Sequence, residues 1–416
     1  MASTGSQRLR RAIRALKRRP EARAVARAAR ERGLSAWIVG GAVRDAALGL
    51  PVPEIDVAVD GDAEGLSRAL AEQGLGTSVF LSRDRPGPRV FRVAGPRPLD
   101  IAEVEGGSML ADLARRDYTV NAIAVPLQED EGEVLDPFGG LADLARGRLR
   151  PVHPDNLLSD PLRVLRAARL IATHGLRPDS GTLLAARRAA QGLSRVAPER
   201  IAAELSKLLA ARSAHAAFSW AARAGILPAA LRLPLSRQEA QRVARSLGVL
   251  EGRAIRGLAP ERRRRLRLAY LASRLSSPPD ARRWLRALRF SRREAEEVAS
   301  LLSLARSAVR IGSRREAIAW LLEAGDLAAD ALILLSVAGS KGRRLSARLR
   351  RLARNPLRRV PVTGGDVVRW LSIPPGPRVG ELLERLRLES ALGAVRNRRE
   401  ARTWLSGQGR GLRDRL

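Results

Sequence analysis

Strand-like sequence is confined to residues 36–140 of this 416-residue chain, and that restriction constrains the fold more than any single motif. Six short apolar or alternating runs lie there, AWIVG, IDVAVD, SVFLS, RVFRVAG, LDIAEV and AIAVPL, interleaved with helical segments such as AEGLSRALAEQG. They predict a small α/β or α+β domain. From about residue 155 onward, Ala/Leu/Arg stretches with helical spacing take over, broken by Pro and Gly at GLRPDSG, RVAPERI, RLPLS, SSPPD and RIGS. A further break at RNPLRRVPVTGGD introduces a last helical unit ending near Leu405, and GQGRGLRDRL reads as a frayed basic tail. The length calls for two to four domains, each with its own core.

Composition removes several function classes. With no Cys, disulfides and thiolate metal sites are excluded, and His153, His174 and His215 are too scattered for a zinc site, so any metal must be held by oxygen. No apolar run approaches the ~20 residues of a membrane span, and the basic start lacks the apolar core of a secretory signal. A cytoplasmic protein without membrane contact is expected. The net charge of +33 comes almost entirely from Arg, and its distribution is more informative than its sum. Residues 1–34 carry 11 basic and 2 acidic side chains and residues 341–416 carry 20 and 6, whereas residues 51–140 carry 8 and 17. An acidic island can hold cations while the basic remainder neutralises the phosphates of a polyanion.

Within the island, Trp37–Asp45 (WIVGGAVRD) is an apolar strand, the pair Gly40-Gly41, and a helix start. Glycines there let backbone amides approach a phosphate, the helix N-terminus favours an anion, and Arg44 can pair with the same triphosphate; taken alone, the pair reads as a plain strand-to-helix turn. The next strand begins Glu54-Ile55-Asp56. Residues i and i+2 share a face, so Glu54 and Asp56 stand side by side, an arrangement that a divalent cation relieves and that in-line attack on a phosphate requires. An exposed acidic edge is the competing reading.

These residues resemble the class II tRNA nucleotidyltransferases and bacterial poly(A) polymerases of the polymerase-β superfamily. Further segments in family order carry the same resemblance: LARRDYTVNAIA (Leu113–Ala124), DPFGG (Asp136–Gly140), SDPLRVLRAARL (Ser159–Leu170), PERIAAELSKLL (Pro198–Leu209) and VTGGDVVRWLSIPPGPRVGELL near the end. The resemblance spans about residues 36–405. It implies an α/β, polymerase-β-like nucleotidyltransferase head (36–150) after a basic N-terminal helix (1–35). A mainly α-helical neck that recognises the nucleotide (151–215), body (216–355) and RNA-binding tail (356–416) would follow.

The implied activity is Mg²⁺-dependent, template-independent addition of C, and A where it is added, to the 3′ end of tRNA, with CTP and ATP as substrates and pyrophosphate released. Glu54 and Asp56 would be catalytic and hold metal, with Glu54 standing where the family has Asp. Asp100 of PLDIAEV is the candidate third catalytic carboxylate, or else an ordinary strand-end Asp. Nucleotide binding would fall to Gly40, Gly41, Arg44, Arg116, Asp117 and Asn121, with Asp117 accepting from the ribose 2′-hydroxyl. Tyr118, in place of the family's Phe, is expected only to pack. Asp160 and Arg163, one helical turn apart on one face, would read the amine and ring nitrogen of C or A and reject U and G; a surface salt bridge is the alternative. Ser159 replaces the family's Glu before that Asp. Arg166 and Arg169 continue the ridge toward phosphates or the neck.

Three readings of function remain at this stage: CCA or CC addition to tRNA, poly(A) polymerisation on other RNAs, and a catalytically weak RNA-binding homologue. The gap after Asp100 bears on the terminal A. Only 16 residues, Ile101–Arg116, precede Asp117, and the last of them, MLADLARR, lead helically into the motif. In CCA-adding and A-adding members of the family a long polar loop lies there, so the remaining AEVEGGS favours CC addition with a partner enzyme supplying A, unless a segment such as Arg83–Arg89 substitutes for the loop.

Overall fold

The computed structural model describes residues 2–81, 87–128, 134–252, 255–273, 277–354 and 360–413. The RDRPGPR stretch therefore lies largely outside the described residues. The chain divides into two compact units, Met1–Arg245 and Ser246–Leu416.

In the first unit every strand read from the sequence enters one six-stranded mixed sheet: β1 (Ser35–Val39), β2 (Ile55–Asp60), β3 (Thr77–Phe80), β4 (Val90–Ala94), β5 (Leu99–Glu103) and β6 (Ala124–Pro126). The spatial order is β3-β4-β5-β2-β1-β6. Central β2 runs antiparallel to β1 and parallel to β5. Its alternation assigns the faces: Ile55, Val57 and Val59 are buried on one side, and Asp56 and Ala58 belong to the other.

The expected single basic helix at the start is two, α1 (Ala2–Lys17) and α2 (Pro20–Glu31). Pro20 cannot sit in a helix interior without losing a hydrogen bond and clashing, but it suits the first position of a new helix. Helix α3 (Gly41–Ala47) leaves β1 through Gly40, whose φ of 68° a side chain would resist. On α4 (Ala63–Glu72), Ser67 bonds Ser78 of β3, a residue in cross-strand line with Val93, Leu99 and Ile55, so α4 covers the face opposite Asp56. On the Asp56 face, Val39 and Ala58 pack with Met109 and Leu113 of α5 (Met109–Ala114).

The DPFGG segment builds the start of α6 (Gly140–Ala145). Both Asp136 carboxylate oxygens accept backbone N–H groups, from Gly140 at 2.6 Å and Leu141 at 2.8 Å, and Gly139 takes a left-handed φ of 73°. Gly140 lies so near the Thr119 carbonyl that an added Cβ would stand 2.1 Å from that oxygen. Beyond it come α7 (Asn156–Ser159), α8 (Leu162–His174), α9 (Ser180–Ala189) and α10 (Pro198–Ala210). Among the described residues, strand structure past residue 155 amounts to Arg177–Pro178 paired with Arg148–Leu149.

The second unit is helical throughout its described residues. Asp330, fully buried, receives both Arg262 and Arg265, and Arg267 pairs with Glu251 at 2.8 Å in the interior. Its last helices, Gly364–Leu371, Pro377–Leu392 and Arg398–Arg413, share a core of Val367, Val379, Leu382, Leu386, Val395, Ala401 and Leu405. The expected fraying after Leu405 is not seen: the helix runs on to Arg413, because extending a formed helix fixes one residue per added bond, even through glycines. Among the described residues, no helix is long and apolar enough to cross a membrane.

The two glycines of DPFGG predict different costs. Gly139→Ala should destabilise by about 1 kcal/mol through its left-handed backbone, and Gly140→Ala by roughly 2–3 kcal/mol because a fixed carbonyl must move. Denaturant unfolding of both variants checks the ranking, and equal losses would contradict it.

Candidate active site

One cavity of about 440 Å³ gathers Glu54, Asp56, Gly40, Gly41, Arg44, Arg116, Asp117, Asn121, Arg163, Arg166 and Arg169. Asp100 and Asp160 are not among its lining residues. Sheet register explains the carboxylates. Asp56 is the cross-strand partner of Val39, the residue before the glycine pair, and on its other side of Asp100. Cross-strand partners share a face, so Asp56 and Asp100 are neighbours beside the Gly40 turn. Glu54 precedes β2 and is exposed at the cavity rim. Asp56 is reachable from the cavity but crowded on its other sides, and this burial, followed by the negative charge of Asp100, holds its carboxyl above the ordinary value against the opposing pull of Arg116 and Arg166.

The glycine turn is tied to the cavity's arginines. The Gly40 amide donates to the Ile123 carbonyl at 3.0 Å, so it is the first-turn amides of α3 that lack carbonyl partners within the helix. A Cβ on Gly40 would stand 3.0 Å from an Arg116 guanidinium nitrogen, and one on Gly41 would touch Arg44. Arg44, buried, donates to Asp45 at 2.8 Å and to the Asn121 side-chain oxygen. Asn121 in turn donates to Asp117 at 3.0 Å, the Tyr118 amide donates to the same oxygen at 2.8 Å, and Arg166 stands 3.1 Å from the other. Burial resists ionisation of Asp117, but Arg166, Asn121 and Arg163 outweigh it and hold its carboxyl below the ordinary value. Asp117 is therefore a hydrogen-bond acceptor at neutral pH.

Tyr118 does more than pack. Its hydroxyl donates to the Arg163 carbonyl at 2.8 Å, linking the segment before β6 to α8.

The expected base-reading pair borders one cavity, but not by the expected geometry. Asp160 is not on a helix face with Arg163: it lies before α8 with extended backbone (φ −136°, ψ 93°), because the following Pro161 disfavours the helical conformation for the residue preceding it. Its carboxylate accepts from Arg200 of α10 at 2.8 Å and borders a second cavity of about 840 Å³. Arg163 lines both cavities, and its guanidinium donates to the Arg115 carbonyl at 2.6 Å and the Asn156 carbonyl at 3.1 Å.

Several residues that hold the site carry no motif-level role. Asp112, buried, accepts from Arg116 at 3.0 and 2.8 Å and from Arg115. Its position three and four residues before those arginines is the signal that could have revealed it. Glu204 receives Arg169 at 2.6 Å, and His174 at the end of α8 stands 2.9 Å from the Asp45 carboxylate. Glu204, Arg169 and Asp45 lie in motif segments, but which residues they pair with is set by long-range packing.

All metal-capable donors here are oxygen. Among the described residues no three His, Cys, Asp or Glu converge on a metal-sized site. Glu54 and Asp56 nevertheless fit Mg²⁺, which is held by one or two carboxylates with the remainder of its shell from water and substrate phosphates.

Three domain models match the chain in order: the poly A polymerase head domain over residues 36–102 and 89–150, the "Probable RNA and SrmB-binding site of polymerase A" over 175–233, and tRNA nucleotidyltransferase domain 2 over 263–403. A CC-adding tRNA nucleotidyltransferase of Geobacter sulfurreducens is 33% identical, the match covering 92% of this chain and 94% of the relative. Another CC-adding enzyme, from Deinococcus radiodurans, is 32% identical over 88% of each chain. The crystal structure of the Bacillus stearothermophilus CCA-adding enzyme in complex with CTP aligns with a TM-score of 0.66 at 26% identity, covering 94% of this chain and 98% of that one.

Asp112 yields a pH-dependent prediction. Burial opposes its charge, yet Arg116 and Arg115 together depress its carboxyl below the ordinary value. A depressed folded-state pKa gives stability that is complete above the unfolded value of 3.8 and is lost as pH falls through the folded one. Asp112→Asn should therefore cost about 2 kcal/mol at pH 7, the half-exposed arginines moderating the loss, and should flatten the decline of stability below about pH 4. Urea titrations from pH 7 to pH 3 measure both, and an unchanged acid slope would contradict the pairing.

Proposed function

The chain belongs to the class II tRNA nucleotidyltransferase family, and from that premise we propose that it adds cytidines to the 3′ end of tRNA, using CTP and Mg²⁺ and releasing pyrophosphate. The observation that carries the reading is the cavity itself, in which Glu54 and Asp56 border the same space as the glycine turn and the arginines Arg44, Arg116, Arg163, Arg166 and Arg169. That combination suits a triphosphate whose charge must be neutralised as a phosphate–oxygen bond breaks.

Nucleotidyltransferases of this family generally use a divalent metal ion. When bound, such an ion supplies Lewis-acid neutralisation of the triphosphate and makes the attacking hydroxyl more acidic. In our reading Glu54 and Asp56 hold Mg²⁺, Asp100 faces the RNA 3′-hydroxyl from the neighbouring strand, and the α3 first turn with Arg44 orients the phosphates. Asp117 accepts from the ribose hydroxyl, with Asn121 and Arg166 fixing its orientation. Arg163 and Asp160 read the base, Asp160 exchanging its Arg200 partner for the exocyclic amine. The helical regions beyond residue 151, with their excess of Arg, bind the tRNA, so affinity falls steeply with salt.

For the terminal nucleotide we favour CC addition. The connection from β5 to α5 is Val104–Ser108, a single tight turn. Complete CCA addition is the second reading.

The test supplies tRNA lacking its 3′ end, and tRNA ending in CC, with each nucleotide triphosphate separately and together. We expect two C additions from CTP, no efficient single-A addition to the CC-ending tRNA from ATP alone, and no growing A tail on unrelated RNA. Efficient A addition would establish the CCA reading, and A tails on other RNA the poly(A) polymerase one. Asp56→Ala should lower CTP incorporation by at least about a thousandfold, on the scale of losing a main electrostatic element, while tRNA affinity in a filter-binding assay stays within about twofold, since no phosphate contact is removed. Retained turnover would exclude Asp56 from the site. Glu54→Asp should retain activity, and a large loss would show that the site is shaped to the longer side chain.

A further inference from the structure

We propose that Arg92 is a resident cation of the metal site, a positioning residue that holds Asp100 away from the metal in the resting enzyme and so weakens metal binding until substrate arrives. The proposal rests on the nucleotidyltransferase reading of Glu54 and Asp56. Arg92, on β4, is the cross-strand partner of Asp100, as Asp100 is of Asp56, so the three side chains share one face of three adjacent strands. Its guanidinium takes both oxygens of Asp100, Nε to Oδ1 at 2.6 Å and Nη2 to Oδ2 at 2.8 Å, and stands 3.9 Å from Glu54.

Among the described residues, each ionic partner of Arg92 is therefore one of the carboxylates assigned to the chemistry. Its cross-strand neighbour on the far side, Val79 of β3, is apolar. A bidentate fork satisfies the acceptor sites on Asp100 that a divalent ion would otherwise share. The clasp is also releasable. Arg92 keeps 38% of its side chain exposed and Asp100 keeps 25%, so the pair is only half-desolvated and is worth less than a buried one. Because the pair is half-exposed, the Arg92 guanidinium can turn outward and leave both Asp100 oxygens open to a divalent ion, which would add charge neutralisation beside a triphosphate.

The test uses the full chain and direct metal binding. Free Mn²⁺ is titrated by electron paramagnetic resonance without nucleotide, for the wild type, Arg92→Gln and Arg92→Lys. Arg92→Gln removes the charge and the fork and should tighten Mn²⁺ binding about three- to tenfold, as expected for removing one nearby like charge across a half-exposed site. Arg92→Lys keeps the charge but loses the fork and should fall between the two. The Mg²⁺ concentration for half-maximal CTP incorporation should drop in the same order. Unchanged or weaker Mn²⁺ binding in Arg92→Gln, with melting showing a folded protein, overturns the proposal. Should Arg92→Gln not fold, wild-type affinity in Arg92→Lys overturns it equally. Absence of CTP incorporation by the wild type would count against the functional reading, whereas coincident Mn²⁺ isotherms with incorporation intact count against Arg92 alone.

Discussion

The cross-strand line Val39, Asp56, Asp100, Arg92 is the constraint on which the head domain depends. Because β2 is antiparallel to β1 and parallel to β5, one line across the sheet joins the residue before the glycine turn to two carboxylates and a guanidinium. A one-residue slip of β2 would turn Asp56 into the apolar layer that holds Ile55, Val57 and Val59, so the core fixes the register that the site requires. Stability and chemistry are specified by the same alternation.

Placing carboxylates side by side obliges the surroundings to supply positive charge, and the first unit does so with arginines anchored by a second set of acids. Asp112 orients Arg115 and Arg116, Glu204 orients Arg169, and Asn121 links Arg44 to Asp117 and thereby to Arg166. Such pairs add little net stability over apolar packing, but removing one partner leaves a costly uncompensated charge. Their effect is pre-organisation: planar guanidinium groups are held in fixed directions around a cavity suited to phosphates. The high Arg content of the chain is here structural as well as electrostatic.

Local signals made most of the head legible. All six strands follow from short apolar runs, and the Gly40-Gly41 turn and the Glu54, Asp56 pair follow from spacing within a few residues. Eleven of the candidate site residues border one cavity because they belong to segments whose order the fold preserves. What could not be read depends on tertiary pairing or on a single backbone conformation. Asp160 leaves the helix because Pro161 follows it, a local rule overridden in the reading by the apparent i, i+3 spacing with Arg163. The pairings Asp160–Arg200 and Arg169–Glu204 arise where α10 packs on α8, and Arg92–Asp100 from strand register. The basic start of the chain divides for a local reason, Pro20 opening a second helix where composition alone indicates one.

The connection between β5 and α5 unites these themes. Val104 donates its N–H to Val59 at 2.9 Å, extending the sheet by one bond, and Gly106 and Gly107 take left-handed φ values of 79° and 76° that close the turn. Asp112 accepts the Glu105 amide at 3.4 Å, and Arg115 pairs with Glu105 at 2.8 Å. The carboxylate that aims Arg116 into the cavity is thus the same one that fastens this turn. A loop able to reshape the nucleotide pocket between C and A would have to swing on hinges not held by that carboxylate, or it would disturb Arg116 with every movement. The turn in this chain is short and doubly anchored, so its position and that of Arg116 are fixed by one carboxylate.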